Sequence, residues 1–120
     1  MDLKLKDKWF LVGGATSGFG AATAEKLFAE GANVLAIARG EDALKALKLR
    51  FPERCIIVAG DLTNPETLLK IKDSLNLSLI SGAFINAGGP PAMRFMDSTL
   101  LNWDEAYKLI LRWKIDLTQM

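Results

Sequence analysis

The sequence predicts an α/β fold: a doubly wound parallel sheet of about four strands, in the order 3-2-1-4, with helices on both faces. Three observations support this prediction. Four short apolar runs alternate with segments of helical periodicity along the chain. The runs are continuously apolar, which is typical of parallel strands buried on both faces. The 120 residues are 50% hydrophobic, which suffices for a single domain over residues 1–120 with no second domain.

The strands are identified by apolar residues that lack the polar alternation of a sheet with one solvated face. The first run, Trp9-Phe10-Leu11-Val12, leads directly into a glycine-rich turn. Each later run is likewise bounded by residues that favour turns. The strands are predicted over residues 8–13, 33–38, 55–59 and 79–85.

The first two helices are placed by their apolar stripes and by the residues that end them. The first helix begins at Ser17 or Gly18 and ends near Gly31, where a left-handed conformation costs glycine little. The second opens with residues 39–42 and continues to about residue 51, because Pro52 cannot extend it.

The last two helices differ in character. Asn64 is a good N-cap for the third helix, with Pro65 at its first position. The last helix, from about residue 102 to residue 120, is apolar over most of its circumference, which is typical of a helix buried on several sides. In the third helix, three residues are expected to face inward: Leu68, Leu69 and Ile71.

Composition excludes several classes of function. The net charge of +1 gives no indication of nucleic acid or an anionic membrane as partner. The sequence contains no histidine, which removes histidine metal sites and histidine general bases, and we expect no metal. Cys55 is the only cysteine, so a reducing compartment such as the cytoplasm is expected. We find neither an apolar signal region nor a segment suited to span a bilayer.

The turn between the first strand and the first helix is the most informative motif. Gly14, Gly18 and Gly20 follow the spacing G-x-x-x-G-x-G. Gly14 allows a tight turn, Gly18 allows a pyrophosphate to approach the backbone, and Gly20 allows the helix to pack closely on the strand. The first helical N–H groups would then face the phosphates. An ordinary structural turn is the alternative.

This loop resembles that of the short-chain dehydrogenase/reductase family, which reads Thr-Gly-x-x-x-Gly-(Ile/Phe/Leu)-Gly, although Gly13 stands in place of the usual threonine. Asp61-Leu62 after the third strand and Asn86-Ala87-Gly88 after the fourth also match that family. Residues 86–90, Asn-Ala-Gly-Gly-Pro, resemble the subgroup that is like the 3-oxoacyl carrier-protein reductases. The family has a Rossmann-like fold with seven strands, so the chain is expected to be a truncated N-terminal half.

The resemblance implies a dinucleotide site. In the family, the glycine loop holds the pyrophosphate, the aspartate and the next backbone amide meet adenine, and the Asn-Ala-Gly segment lies beside the ribose. Asp61 could instead begin a loop and help to cap a helix. The implied cofactor-binding residues are Gly14, Thr16, Ser17, Gly18, Phe19, Gly20, Arg39, Asp61, Leu62, Asn86, Ala87 and Gly88.

The end of the second strand favours NADP(H) over NAD(H). A carboxylate there would accept hydrogen bonds from the adenosine ribose and repel a 2′-phosphate. The chain has Ala38 and then Arg39, whose guanidinium suits a phosphate. The alternative is that Arg39 is only a solvated loop cation. Ala38 also disfavours a methyl transferase with an adenosyl cofactor, which would want an acid at this position.

No catalytic residue is identified. The family's catalytic serine and Tyr-x-x-x-Lys lie beyond the matched segments, and the single tyrosine, Tyr107, is followed four positions later by Leu111. Ile110 replaces an asparagine that often supports a proton relay. The resemblance therefore implies the NADP(H)-binding portion of an enzyme that reduces a ketone or oxidises a secondary alcohol by hydride transfer. We expect this portion to be inactive alone. The alternative is a catalytically inactive nucleotide-binding or oligomeric assembly module.

The last helix also bears on assembly. In the family, the matching helix packs into a four-helix dimer interface. We therefore expect a homo-oligomer formed through residues 102–120. The alternative is that this helix only covers the sheet of its own chain.

Overall fold

The computed structural model describes residues 1–86 and 91–120. Its strands are β1 (Trp9–Gly13), β2 (Asn33–Ala38), β3 (Cys55–Ala59) and β4 (Ile80–Phe84). All pairings are parallel and the order is β3-β2-β1-β4, which confirms the predicted fold class. Its α-helices are α1 (Gly18–Ala29), α2 (Glu41–Arg50), α3 (Pro65–Ser74), α4 (Leu100–Tyr107) and α5 (Trp113–Thr118).

The two central strands of the sheet are buried on both faces because they are apolar from Phe10 to Val12 in β1 and from Val34 to Ala38 in β2. Along β1, Val12 joins a core layer formed with α1 and α2, while Leu11 joins the layer on the other face, against α3 and α5. β2 alternates in the same way, with Val34 in the first layer and Leu35 in the second. The continuous apolar runs of the sequence therefore supply two cores.

An arginine ties the end of α1 to the sheet on the first of these faces. The Arg54 guanidinium donates to the carbonyl oxygens of Ala32 at 2.7 Å and Phe28 at 2.6 Å. It also lies over the rings of Phe28 and Phe51, which stack on each other with centroids 3.8 Å apart. Phe28 belongs to the core layer formed with α1 and α2, and Phe51 packs against that layer.

The prediction of which α3 residues face inward is wrong at one position, Leu69. Ile71 is buried and Leu68 half-buried, but the side chain of Leu69 is 59% exposed. Thr67 is buried in its place, at 2% exposure. The physical reason lies in the loop after β3, because Gly60 packs so closely on Thr67 that a Cβ there would lie 3.0 Å from its Cγ2.

The last helix begins at Leu100, two residues earlier than expected. Thr99 and Asn102 form a capping box, in which the Asn102 N–H donates to the Thr99 hydroxyl at 3.2 Å. The helix is also not continuous, because a π-helical turn over Lys108–Arg112 separates α4 from α5. In the part of the chain that the structure describes, no helix combines the length and apolar character needed to cross a membrane.

Candidate functional site

A cleft of about 730 Å³ opens at the carboxyl ends of the strands. Its walls come from the loops after all four strands and from the last helical segment. The strand order places it where the direction of winding reverses, between β1 and β4, which is where open α/β sheets bind ligands. Its lining residues are Gly14, Thr16, Ser17, Gly18, Phe19, Ile37, Ala38, Arg39, Gly40, Gly60, Asp61, Leu62, Thr63, Asn86, Leu109 and Trp113.

The glycine turn brings α1 directly onto the end of β1. Gly14 has φ +63°, in the left-handed region. A Cβ on Gly20 would collide with the Gly14 carbonyl group and would lie 2.8 Å from the Gly13 carbonyl oxygen. The Ala15 N–H donates to the Ile37 carbonyl oxygen at 3.1 Å, which fixes the turn to β2. Only a helix without a side chain at Gly20 can start this close to the strand.

The amino end of α1 faces the cleft with its backbone donors available. Ser17 is the N-cap, but its side chain makes no capping hydrogen bond. The first turn of this twelve-residue helix carries no acidic side chain, so nothing there opposes the positive end of the helix dipole. A Cβ added to Gly18 would meet no atom of residues 1–86 or 91–120 within 4 Å, so these parts of the chain leave the backbone open to a ligand on this side. This arrangement suits a phosphate or pyrophosphate.

Arg39 and Asp61 lie on the same rim of the cleft. Among residues 1–86 and 91–120, Arg39 belongs to no ion pair, and its side chain is exposed. The Asp61 carboxylate accepts from the backbone N–H of Thr63 at 2.9 Å and from its hydroxyl at 2.7 Å. These two bonds lower the pKa of Asp61, and the positive charge of Arg39 lowers it further. Asp61 is therefore ionised at neutral pH.

Asp61 shapes its own loop and does not cap α3. The cap is Asn64, whose side-chain oxygen accepts from the Glu66 N–H at 3.0 Å. Leu62, which follows Asp61, is 9% exposed and packs in the core, but it also lines the cleft. The Gly60 N–H donates to the Ala38 carbonyl oxygen at 2.9 Å, which joins this loop to the end of β2.

Asn86 closes the cleft on the β4 side. Its backbone oxygen would lie 3.2 Å from a Cβ placed on Gly13, and its side-chain amide nitrogen 3.6 Å from one placed on Gly14. Asn86 thus lies against the glycine turn, and the absence of a side chain at Gly13 leaves room for it. Ala87 and Gly88, which the sequence also assigns to this site, lie outside the described residues.

Seven lining residues are not among the twelve that the sequence assigns to the site: Ile37, Ala38, Gly40, Gly60, Thr63, Leu109 and Trp113. Five of them lie beside assigned residues or at a strand end, whereas Leu109 and Trp113 come from the last helical segment. Trp113 is 2% exposed and packs in the core layer that contains Leu62 and Ile37. Its indole N–H donates to the Leu109 carbonyl oxygen at 2.6 Å. The i, i+4 spacing of Trp113 and Leu117 was the available signal, but apolar residues all round this helix concealed which face meets the sheet.

The chain is similar to proteins of one family. A family model described as short chain dehydrogenase matches residues 8–120. The 3-oxoacyl-(acyl-carrier-protein) reductase FabG of Aquifex aeolicus is 30% identical over 126 residues, which cover 99% of this chain and 50% of that protein. The human inactive hydroxysteroid dehydrogenase-like protein 1 is 35% identical over 78 residues, covering 61% of this chain and 24% of that protein.

A solved structure shows the same likeness in three dimensions. The crystal structure of L-sorbose reductase from Gluconobacter frateurii, complexed with NADPH and L-sorbose, superposes with a TM-score of 0.86 and 27% identity. It covers 99% of this chain and 48% of the reductase chain. Nearly all of this chain is matched, but it spans only about half the length of these two reductases.

Proposed function

The chain belongs to the short-chain dehydrogenase family, and we propose that it is the NADP(H)-binding portion of an oxidoreductase. One observation carries the proposal: a single cleft gathers the open amino end of α1, the ionised Asp61 and Arg39, which forms no ion pair with any residue that the structure describes. Nine of the twelve residues that the sequence assigns to the cofactor line this cleft: Gly14, Thr16, Ser17, Gly18, Phe19, Arg39, Asp61, Leu62 and Asn86.

Each part of the cleft has a role in holding the dinucleotide. The backbone N–H groups at the start of α1 bind the pyrophosphate. Asp61 and Leu62 bind the adenine end, where the carboxylate accepts hydrogen bonds and the apolar side chain packs on the ring. Asn86 supports the ribose on the opposite side. When bound, NADP(H) supplies the hydride, and the protein supplies position and charge.

Arg39 makes NADP(H) the preferred cofactor. It follows β2, where the cleft wall has the small apolar side chain of Ala38 and no carboxylate. An exposed guanidinium in this position can donate two parallel hydrogen bonds to a 2′-phosphate. NAD(H) lacks that phosphate, so it cannot use this interaction.

The reaction proposed for the full-length relative is reduction of a ketone or oxidation of a secondary alcohol. Within these 120 residues, Tyr107 is not followed by a lysine at the fourth position, and it is not a cleft-lining residue. We therefore expect no turnover from these residues alone. A catalytic half, in the same polypeptide or from a partner, would supply the proton donor.

A second proposal, an inactive binding or assembly module, is supported by the surface of α4. Leu100 is 84% exposed there, and Leu101, Trp103 and Tyr107 are also exposed. Several large apolar side chains exposed on one short helix are typical of an interaction surface. We propose homo-oligomerisation through this surface. Light scattering tests it: Leu100→Glu/Trp103→Glu should yield a monomer if the proposal is right, whereas an unchanged mass would contradict it.

Calorimetric titration with NADP+ and NAD+ tests the cofactor proposal. Arg39→Ala should weaken NADP+ binding by roughly tenfold to a hundredfold, because a charge-assisted hydrogen bond is lost, and should change NAD+ binding by less than about threefold. Lys45→Ala is the matched control, since it removes one exposed positive charge on α2 outside the cleft. Equal losses for both cofactors would refute the role of Arg39, and no binding of either by the unmodified chain would refute the cofactor site.

A further inference from the structure

The side chain of Trp113 connects the last helix to the candidate cofactor cleft. It is 2% exposed, although its edge lines the cleft. It packs in the same buried layer as Ile37 and Leu62, which line the cleft from the ends of β2 and β3. Trp113 therefore belongs both to this buried layer and to the lining of the cleft.

A π-helical turn places Trp113 in this position. The turn spans Lys108–Arg112 and ends immediately before the tryptophan. The indole N–H donates to the carbonyl oxygen of Leu109, inside the turn, at 2.6 Å. Leu109 also lines the cleft. Single π turns inside α-helices occur frequently at functional sites, because the wide turn redirects side chains that a regular helix would point elsewhere.

We propose that Trp113 is a positioning residue that couples order in the last helix to cofactor binding. Its ring holds Leu62 and Ile37 in the cleft wall, and its N–H holds Leu109 and the π turn. This inference rests on the proposed function, because it requires NADP(H) to occupy the cleft. By linkage, a cofactor that binds better when α5 is docked must also stabilise the docked helix by the same factor.

The coupling predicts effects that a role in the core alone would not produce. NADP+ should slow amide hydrogen exchange in residues 113–118, although only Trp113 among them lines the cleft and none is expected to touch the phosphates. It should also change the fluorescence of Trp113. Trp9 lies at the amino end of β1, away from the cleft, and Trp103 lies in exposed α4, so neither should respond.

Two substitutions distinguish the contribution of the Trp113 ring from that of its hydrogen bond to Leu109. Trp113→Phe keeps an apolar ring but loses the bond to Leu109. It should therefore weaken NADP+ binding less than Trp113→Ala does, and it should remove the fluorescence response. Trp113→Ala removes the support and should weaken NADP+ binding by roughly two- to tenfold, the range expected for one aromatic packing contact. Trp103→Phe is the matched control and should retain both the affinity and the response.

The outcomes distinguish the two proposals. If the unmodified chain binds no NADP+, the proposed function fails and this inference fails with it. If it binds NADP+ but Trp113→Ala, folded by circular dichroism, binds equally well, only the inference is overturned. Should Trp113→Ala not fold, hydrogen exchange on the unmodified chain decides. Unchanged exchange in residues 113–118 on NADP+ binding would overturn the inference, and slowed exchange would support it.

Discussion

Replacing Gly20 by alanine should damage both the stability and the ligand site of this protein. The substitution places one methyl group between α1 and the end of β1. Its Cβ would lie 2.6 Å from the Gly14 carbonyl carbon and 2.8 Å from the Gly13 oxygen, whereas ordinary contact begins at 3.4 Å. Both partners are backbone atoms of the turn that lines the cleft, so no side chain can rotate away to relieve the contact.

Two opposing contributions set the size of the effect. Overpacking against atoms that cannot repack costs about 3 kcal/mol, the upper part of the usual range. Alanine is favoured over glycine inside a helix by about 1 kcal/mol, which offsets part of that cost. We therefore expect Gly20→Ala to lower the free energy of unfolding by about 2 kcal/mol. The displaced turn should also weaken NADP+ binding more than tenfold.

Urea denaturation followed by circular dichroism measures the change in stability, and calorimetry measures binding. Two further glycines serve as controls. The methyl group added by Gly18→Ala meets no atom of the described residues, but the residue must keep φ +54°. Backbone strain alone should therefore lower the free energy of unfolding by about 1–2 kcal/mol. Gly40→Ala meets neither obstacle and should stay within about 0.5 kcal/mol. If Gly20→Ala proved as stable as Gly40→Ala, the close approach of helix and strand would be refuted.

Two other predictions concern single side chains. Arg54→Ala should lower the free energy of unfolding by about 2 kcal/mol, because it removes charge-assisted hydrogen bonds to the Phe28 and Ala32 carbonyl oxygens. Arg54→Lys should not restore this stability, since lysine lacks the planar guanidinium fork. Urea midpoints measure both variants, and full recovery with lysine would contradict the geometry. The lowered pKa of Asp61 means that its carboxylate stabilises the fold above the unfolded pKa and that this contribution is lost as the pH falls through the folded value. The stability difference between the unmodified chain and Asp61→Asn should thus be constant from about pH 7 to 5 and shrink below about pH 4, the range of an ordinary aspartate. A difference that grows on acidification would contradict the bonds from Thr63.

The strands could be predicted closely from the sequence because their burial on both faces leaves a continuous apolar run. The predicted range 33–38 matches Asn33–Ala38, and 55–59 matches Cys55–Ala59. The capping residue Asn64 was also recognised, since its side chain acts on the next two residues without help from tertiary contacts. The location of the cleft followed from the same local signals, because the carboxyl ends of parallel strands meet at one edge.

The errors arise where a distant contact decides the outcome. In α3, helical periodicity alone could not show that the Gly60 loop would bury Thr67 and leave Leu69 in solvent. In the last helix, apolar residues on every side could not indicate that Trp113 packs on the sheet. The oligomeric contact expected through residues 102–120 stays a prediction. Within its own chain, α5 covers the sheet, whereas α4 leaves apolar side chains exposed.

The π turn over Lys108–Arg112 has a consequence for how this helix tolerates insertions and deletions. A π turn contains one residue more than an α-helical turn, and the side chains before and after it still point in the directions that a regular helix would give them. Deleting one residue within the turn would restore a regular α-helix and leave the Trp113 ring on the sheet. Deleting one residue from α4 would instead rotate the preceding segment by about 100° relative to it. The turn is thus the place in this helix where a change of length is compatible with the same packing.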